Sequence, residues 1–143
     1  MNPNLNKFLT AQESSYSTAL SEIKNGRKET HWMWYIFPQI KGLGFSSTAQ
    51  FYSIESLTEA KDFLNHEILG KCLKEITEVL LDLEETDPTN IFGYPDDLKL
   101  KSCMTLFSIA EGTENNLFQK VIQKFFEGEF DEKTVEILKE IKS

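Results

Sequence analysis

The chain has 143 residues, with 15 Lys+Arg against 23 Asp+Glu and a formal net charge of -8. Hydrophobic residues make up 40%, including 11 Phe, 4 Tyr and 2 Trp, which is enough apolar surface to exclude a disordered chain. The acidity excludes a general binder of nucleic-acid polymers, because such a protein needs a basic face to neutralise phosphates.

The first element is a helix, since Leu5, Phe8, Leu9, Gln12, Tyr16, Ala19, Leu20 and Ile23 recur at three- and four-residue steps. Gly26 is a suitable stop for it. Thr30 is placed to cap a short helix over 31–37, which Pro38 ends. Residues 38–55 read as an irregular loop bearing Gly42 and Gly44, and 45–54 is the only strand-like stretch. Ser56 with Glu59 matches a capping box that opens a helix to about Leu64. Residues 66–85 give a clear amphipathic pattern, with Leu69, Cys72, Leu73, Ile76, Val79, Leu80 and Leu83 on one face. The runs 87–90 and 93–96 are turn signals. A helix over 97–110 turns Leu100, Met104, Phe107 and Ala110 inward, Thr113 caps the next, and Asp131 caps the last. The fold class is mainly α: a single compact domain over 1–143, with about seven helices and short loops.

No run of about 18 apolar residues is present, so no membrane-spanning helix is expected. No charged n-region followed by an apolar h-region is seen, so no signal peptide is expected. Cys72 and Cys103 form no CxxC pair and sit in apolar surroundings, which fits a cytoplasmic protein with two buried, reduced thiols. The two histidines, His31 and His66, make no HExxH, and no EF-hand spacing occurs, so neither a metal nor another cofactor is expected.

The charge is uneven. Residues 1–50 hold five bases and three acids, a net of +2, and the other 93 residues carry a net of -10. Within the less acidic part lies GRKETHWMWYIFPQIKGLGFS, residues 26–46, with both tryptophans and one histidine inside four positions. Trp32 and Trp34 lie two positions apart and cannot share a helix face, so one belongs to the core and the other to a wall or the surface. Clustered aromatics are first of all core. Gly42 and Gly44 nevertheless permit close backbone approach, and loop amides beside Lys41 and Ser46 suit a small anion. His31 is the choice for general acid/base work.

The string HWMWYIFPQIKGLGFS strongly resembles the signature of the family called domain of unknown function 1810, and KL-S-MTLF at 99–107 supports it. The resemblance covers nearly the whole chain, from Phe8 and Ala11-Gln12 to Asp131 and Thr134. Two positions depart from it: Glu67 stands where proline is usual, and Cys103 where a second serine is common. The resemblance implies a mainly helical domain and brings no activity. Some members carry the label calpastatin, a calpain inhibitor. An inhibitor of that sort is a disordered repeat protein, whereas this composition is globular and without repeats.

In the second unusual segment, 93–108, Lys99 lies three residues before Ser102. That is the reverse of an SxxK order, so Ser102 as a nucleophile rests on geometry alone. A helix-start cluster, in which Asp96 or Asp97 caps and Lys99 pairs, explains the same residues. Two functional readings follow. The first is a pocket for a small anionic, nucleotide- or sugar-phosphate-like molecule, formed by Lys28, Trp34, Gln39, Lys41, Gly42, Gly44, Ser46 and Lys99. His31 and Ser102 would act there if a bond is hydrolysed or transferred. The second is a non-catalytic protein-interaction module with a tryptophan as surface hot spot. Neither reading fixes an oligomeric state.

Overall fold

The computed structural model describes residues 2–141. Those residues form a compact, mainly helical fold with nine α-helices: α1 (Asn6–Lys24), α2 (Met33–Ile36), α3 (Ser47–Phe51), α4 (Leu57–Asn65), α5 (Leu69–Asp82), α6 (Pro88–Phe92), α7 (Asp96–Glu111), α8 (Leu117–Phe126) and α9 (Glu132–Ile141). No strand is found among them, and residues 45–54 supply only one half of a single parallel bridge between Ile40 and Ile54. No described helix is long and apolar enough to cross a membrane.

Periodicity finds seven of the nine helices. The other two, α3 and α6, are five residues long, too short for a periodic pattern. Both are capped: Ser46 accepts from the Ala49 amide, and Asp87 accepts from the Thr89 amide with Pro88 following. The Asp-Pro pair read as a breaker is thus a helix start, since proline is tolerated where the amide has no partner. Two expected caps are replaced. Trp32 stands at the cap position of α2 without a side-chain cap bond, and the Thr30 hydroxyl donates to Glu22 instead. Asn116, not Thr113, caps α8, accepting from the Gln119 amide. Ser56 and Asp131 cap α4 and α9 as expected.

The centre of the fold is α7. Its sequence suggests one inward face, yet Ser102, Cys103, Thr105, Leu106 and Ser108 are buried along with Leu100, Met104 and Phe107. Helices α4, α6, α8 and α9 pack around it. Its buried hydroxyls are tolerated because they bond back one turn: Ser102 donates to the Leu98 carbonyl at 3.2 Å, and Thr105 to the Lys101 carbonyl at 2.8 Å. The Lys124 ammonium on α8 donates to the carbonyls of Leu81 and Leu83, which satisfies the last turn of α5. Of the two thiols expected inside, Cys103 is fully buried but Cys72 is half-exposed.

Candidate functional site

Residues 26–34 are anchored by one carboxylate. Glu22, near the end of α1 and 8% exposed, accepts from the Thr30 hydroxyl at 2.6 Å, the Glu29 and Thr30 amides at 2.8 and 3.0 Å, and Trp32 Nε1 at 2.8 Å. Burial alone would raise its pKa. The hydrogen bonds outweigh that and hold it at about 2, below the usual 4.5. An ionised acid fits poorly at a helix C-terminus. That misfit is the only trace of this role in the sequence.

The anchor settles the two tryptophans. Trp32 is core, packed with Phe37 and Phe92 at ring-centroid distances of 6.0 and 6.4 Å. Trp34 is half-buried and presents its ring to the Lys99 ammonium, 5.3 Å from the centroid. Lys99 also pairs with Asp96 at 3.2 Å. On the other oxygen of Asp96 sits Lys28 at 2.9 Å, its side chain only 7% exposed, with its ammonium 5.1 Å from the Trp32 centroid. Three residues of the expected pocket, Lys28, Trp34 and Lys99, are therefore brought together around Asp96. Asp96 pairs and does not cap; α7 begins at Asp96, and Pro95 at its cap position makes no side-chain cap bond.

Beside this clasp runs a groove of about 380 Å³, lined by Arg27, Lys28 and residues 89–93. The Lys28 amide donates to the Ile91 carbonyl at 2.7 Å and fixes the two walls. Arg27 is exposed, and among the described residues its guanidinium makes no ion pair. Arg27 and the 89–93 turn escaped the sequence reading, because nothing local marks a wall contributed from sixty residues away.

The remaining residues stand apart. His31 is exposed, and its backbone carbonyl accepts from the Tyr35 hydroxyl. Ser102 is buried and donates to Leu98, and no contact joins it to His31. Gln39 and Lys41 pair through their backbones with Ile54, and the Lys41 ammonium lies 3.9 Å from Glu55 with both side chains exposed. Ser46 caps α3. Gly42 takes φ +109°, a value that favours glycine. At Gly44 an added Cβ would stand 2.5 Å from the Ala49 Cβ, so that glycine lets α3 close onto its own loop. Gly44 thus has a local packing role in its loop.

These features define an all-helical protein in which an aromatic core is closed by a lysine–aspartate–lysine clasp. The chain belongs to the family described as Protein of unknown function (DUF1810), whose profile matches residues 2–138. A solved structure similar to it is the conserved hypothetical protein Rv1873 from Mycobacterium tuberculosis, 42% identical. The match covers 95% of this chain and 96% of that one, with a TM-score of 0.91. No curated protein matches.

Proposed function

We propose that the protein binds a small anionic molecule, nucleotide- or sugar-phosphate-like, in the groove between residues 27–28 and 89–93. The observation that carries this reading is Arg27, an exposed guanidinium without an ion pair among the described residues, in the lining of a polar groove that also includes Lys28. Guanidinium groups match phosphate oxygens in a bidentate geometry. Lys28 is held in place by Asp96, so little side-chain entropy remains to be lost there on binding. The Trp34 ring beside Lys99 offers a flat apolar face next to the clasp. The reading is one of binding alone. Ser102 donates to the Leu98 carbonyl and lies apart from His31, so those two residues do not form a nucleophile–base pair.

A thermal-shift panel of nucleotides, ADP-ribose-like compounds and sugar phosphates tests this. Ligand at a hundredfold excess over Kd stabilises by about 2.7 kcal/mol, a readily measured rise in Tm. Arg27→Ala should abolish the rise and leave the unliganded Tm unchanged, because Arg27 is exposed. A panel that leaves the wild-type Tm unmoved overturns the reading. The interaction-module reading draws on other residues than a tryptophan: Phe45 is 82% exposed and Tyr94 77%. It predicts that Phe45→Ala and Tyr94→Ala lose a partner without affecting any small-molecule shift.

A further inference from the structure

A second cleft, of about 440 Å³, lies between α1 and the start of α5. Leu9, Gln12, Tyr16, Ile68 and Cys72 form its walls, with exposed Glu13 and Ser17 completing the lining. Its size and mostly apolar lining are those of a small-molecule site.

Gln12 is the informative residue. It is 7% exposed, and its Nε2 donates to the Tyr35 carbonyl at 2.9 Å. That bond fixes the amide, since the reversed orientation would set Oε1 against a carbonyl oxygen. No donor among the described residues reaches the buried Oε1. A buried acceptor without a partner is costly, so an orphan in a cleft wall calls for a donor from elsewhere.

The other polar groups at the cleft have the same sense. The Tyr16 hydroxyl directs its proton to the Glu75 carboxylate at 2.5 Å, with the Cys72 carbonyl at 3.0 Å, and so offers lone pairs. Glu13 and Glu75 are carboxylates, and no cationic side chain lines the cleft; Lys71, next to Cys72 in the chain, is exposed outside it. The charged groups at the cleft, Glu13 and Glu75, are therefore acceptors, and the Ser17 hydroxyl can act in either sense.

We infer that this cleft binds a small molecule with an apolar body and an amine or other N–H head, the body between Leu9 and Ile68 and the head donating to Gln12 Oε1. Ile68 is 53% exposed at the mouth, and an exposed side chain changes rotamer readily, which gives the head its way in. Carboxylates and phosphates are disfavoured by the like charge of Glu13 and Glu75, with no lining cation to offset it. This site is distinct from the Arg27 groove and stands or falls independently of it.

The test is amide and side-chain-amide NMR on the full chain, titrated with tryptamine, benzylamine and indole, and with indole-3-acetate and benzoate as acidic counterparts. The expected result is saturable shifts at Leu9, Ile68, Cys72 and the Gln12 side-chain amide for the N–H donors only. Gln12→Met removes the acceptor at similar volume, and binding should weaken about tenfold. Ile68→Trp fills the mouth with Gln12 intact, and it should block binding whether or not Gln12→Met folds. Absence of saturable shifts with any N–H donor overturns the inference. So does binding that Ile68→Trp leaves unchanged, or equal binding of acids and amines.

Discussion

Charged groups at three sites in this protein differ in value because their surroundings differ. Asp96 holds Lys28, whose side chain is almost fully enclosed, so Asp96→Asn strands a buried ammonium. Breaking such a pair costs about 3 kcal/mol, which a urea midpoint would report. Lys41 and Glu55 are exposed on both sides at 3.9 Å, and Lys41→Ala should change stability by less than about 0.5 kcal/mol. Glu22 is the third case. Its folded pKa of about 2 lies below the ordinary 4.5, so the stability it contributes is complete above 4.5 and is lost as pH falls toward 2. Comparison of wild type with Glu22→Gln by urea unfolding should show a gap on the order of 2 kcal/mol at pH 7 that closes near pH 2. A gap independent of pH would show that the carboxylate's charge is not what holds residues 29–32.

Helix ends and close approaches govern the next scale. The α5 pattern was legible in the sequence because an amphipathic stripe states its own period, although Cys72 on that stripe is only half-buried. Helices α3 and α6 were not, because five residues carry no period and their caps read equally as turns. The contact of Gly44 with Ala49 makes a specific prediction for α3. Gly44→Ala should destabilise by about 1–3 kcal/mol through overpacking, and Ala49→Gly in the same chain should recover much of it. Additive losses in a double-mutant cycle would show that the two sites do not meet. At α8, Asn116 accepts from Gln119 and also donates to the Ser108 carbonyl, so Asn116→Ala costs about 1 kcal/mol or more.

At the scale of the molecule, α7 is the helix on which α4, α6, α8 and α9 close. Burial pushes the Cys103 thiol well above its ordinary pKa and leaves it no solvent path. Cys72 is raised as well, by burial and then by the nearby Glu75, but it remains half-exposed. A thiol reagent should therefore modify Cys72 slowly in the native protein and reach Cys103 only on global unfolding. Release of both thiols at one rate without denaturant would mean that α7 opens locally.

The sequence by itself determined the helical class, most helix positions and the family. Those follow from local periodicity and from a contiguous string, 31–46, that needs no third dimension to be read. It also pointed to Lys28, Trp34 and Lys99. Tertiary structure decided what these residues do. Asp96 draws the two lysines together, Glu22 selects Trp32 for the core, and the walls of both clefts come from helices far apart in the chain. Pairings of that kind depend on which buried groups find partners when the helices close, and no spacing along the chain records them. Gly44 in the conspicuous loop packs against Ala49 of α3, while the plain Gln12 in the first helix carries an orphan acceptor.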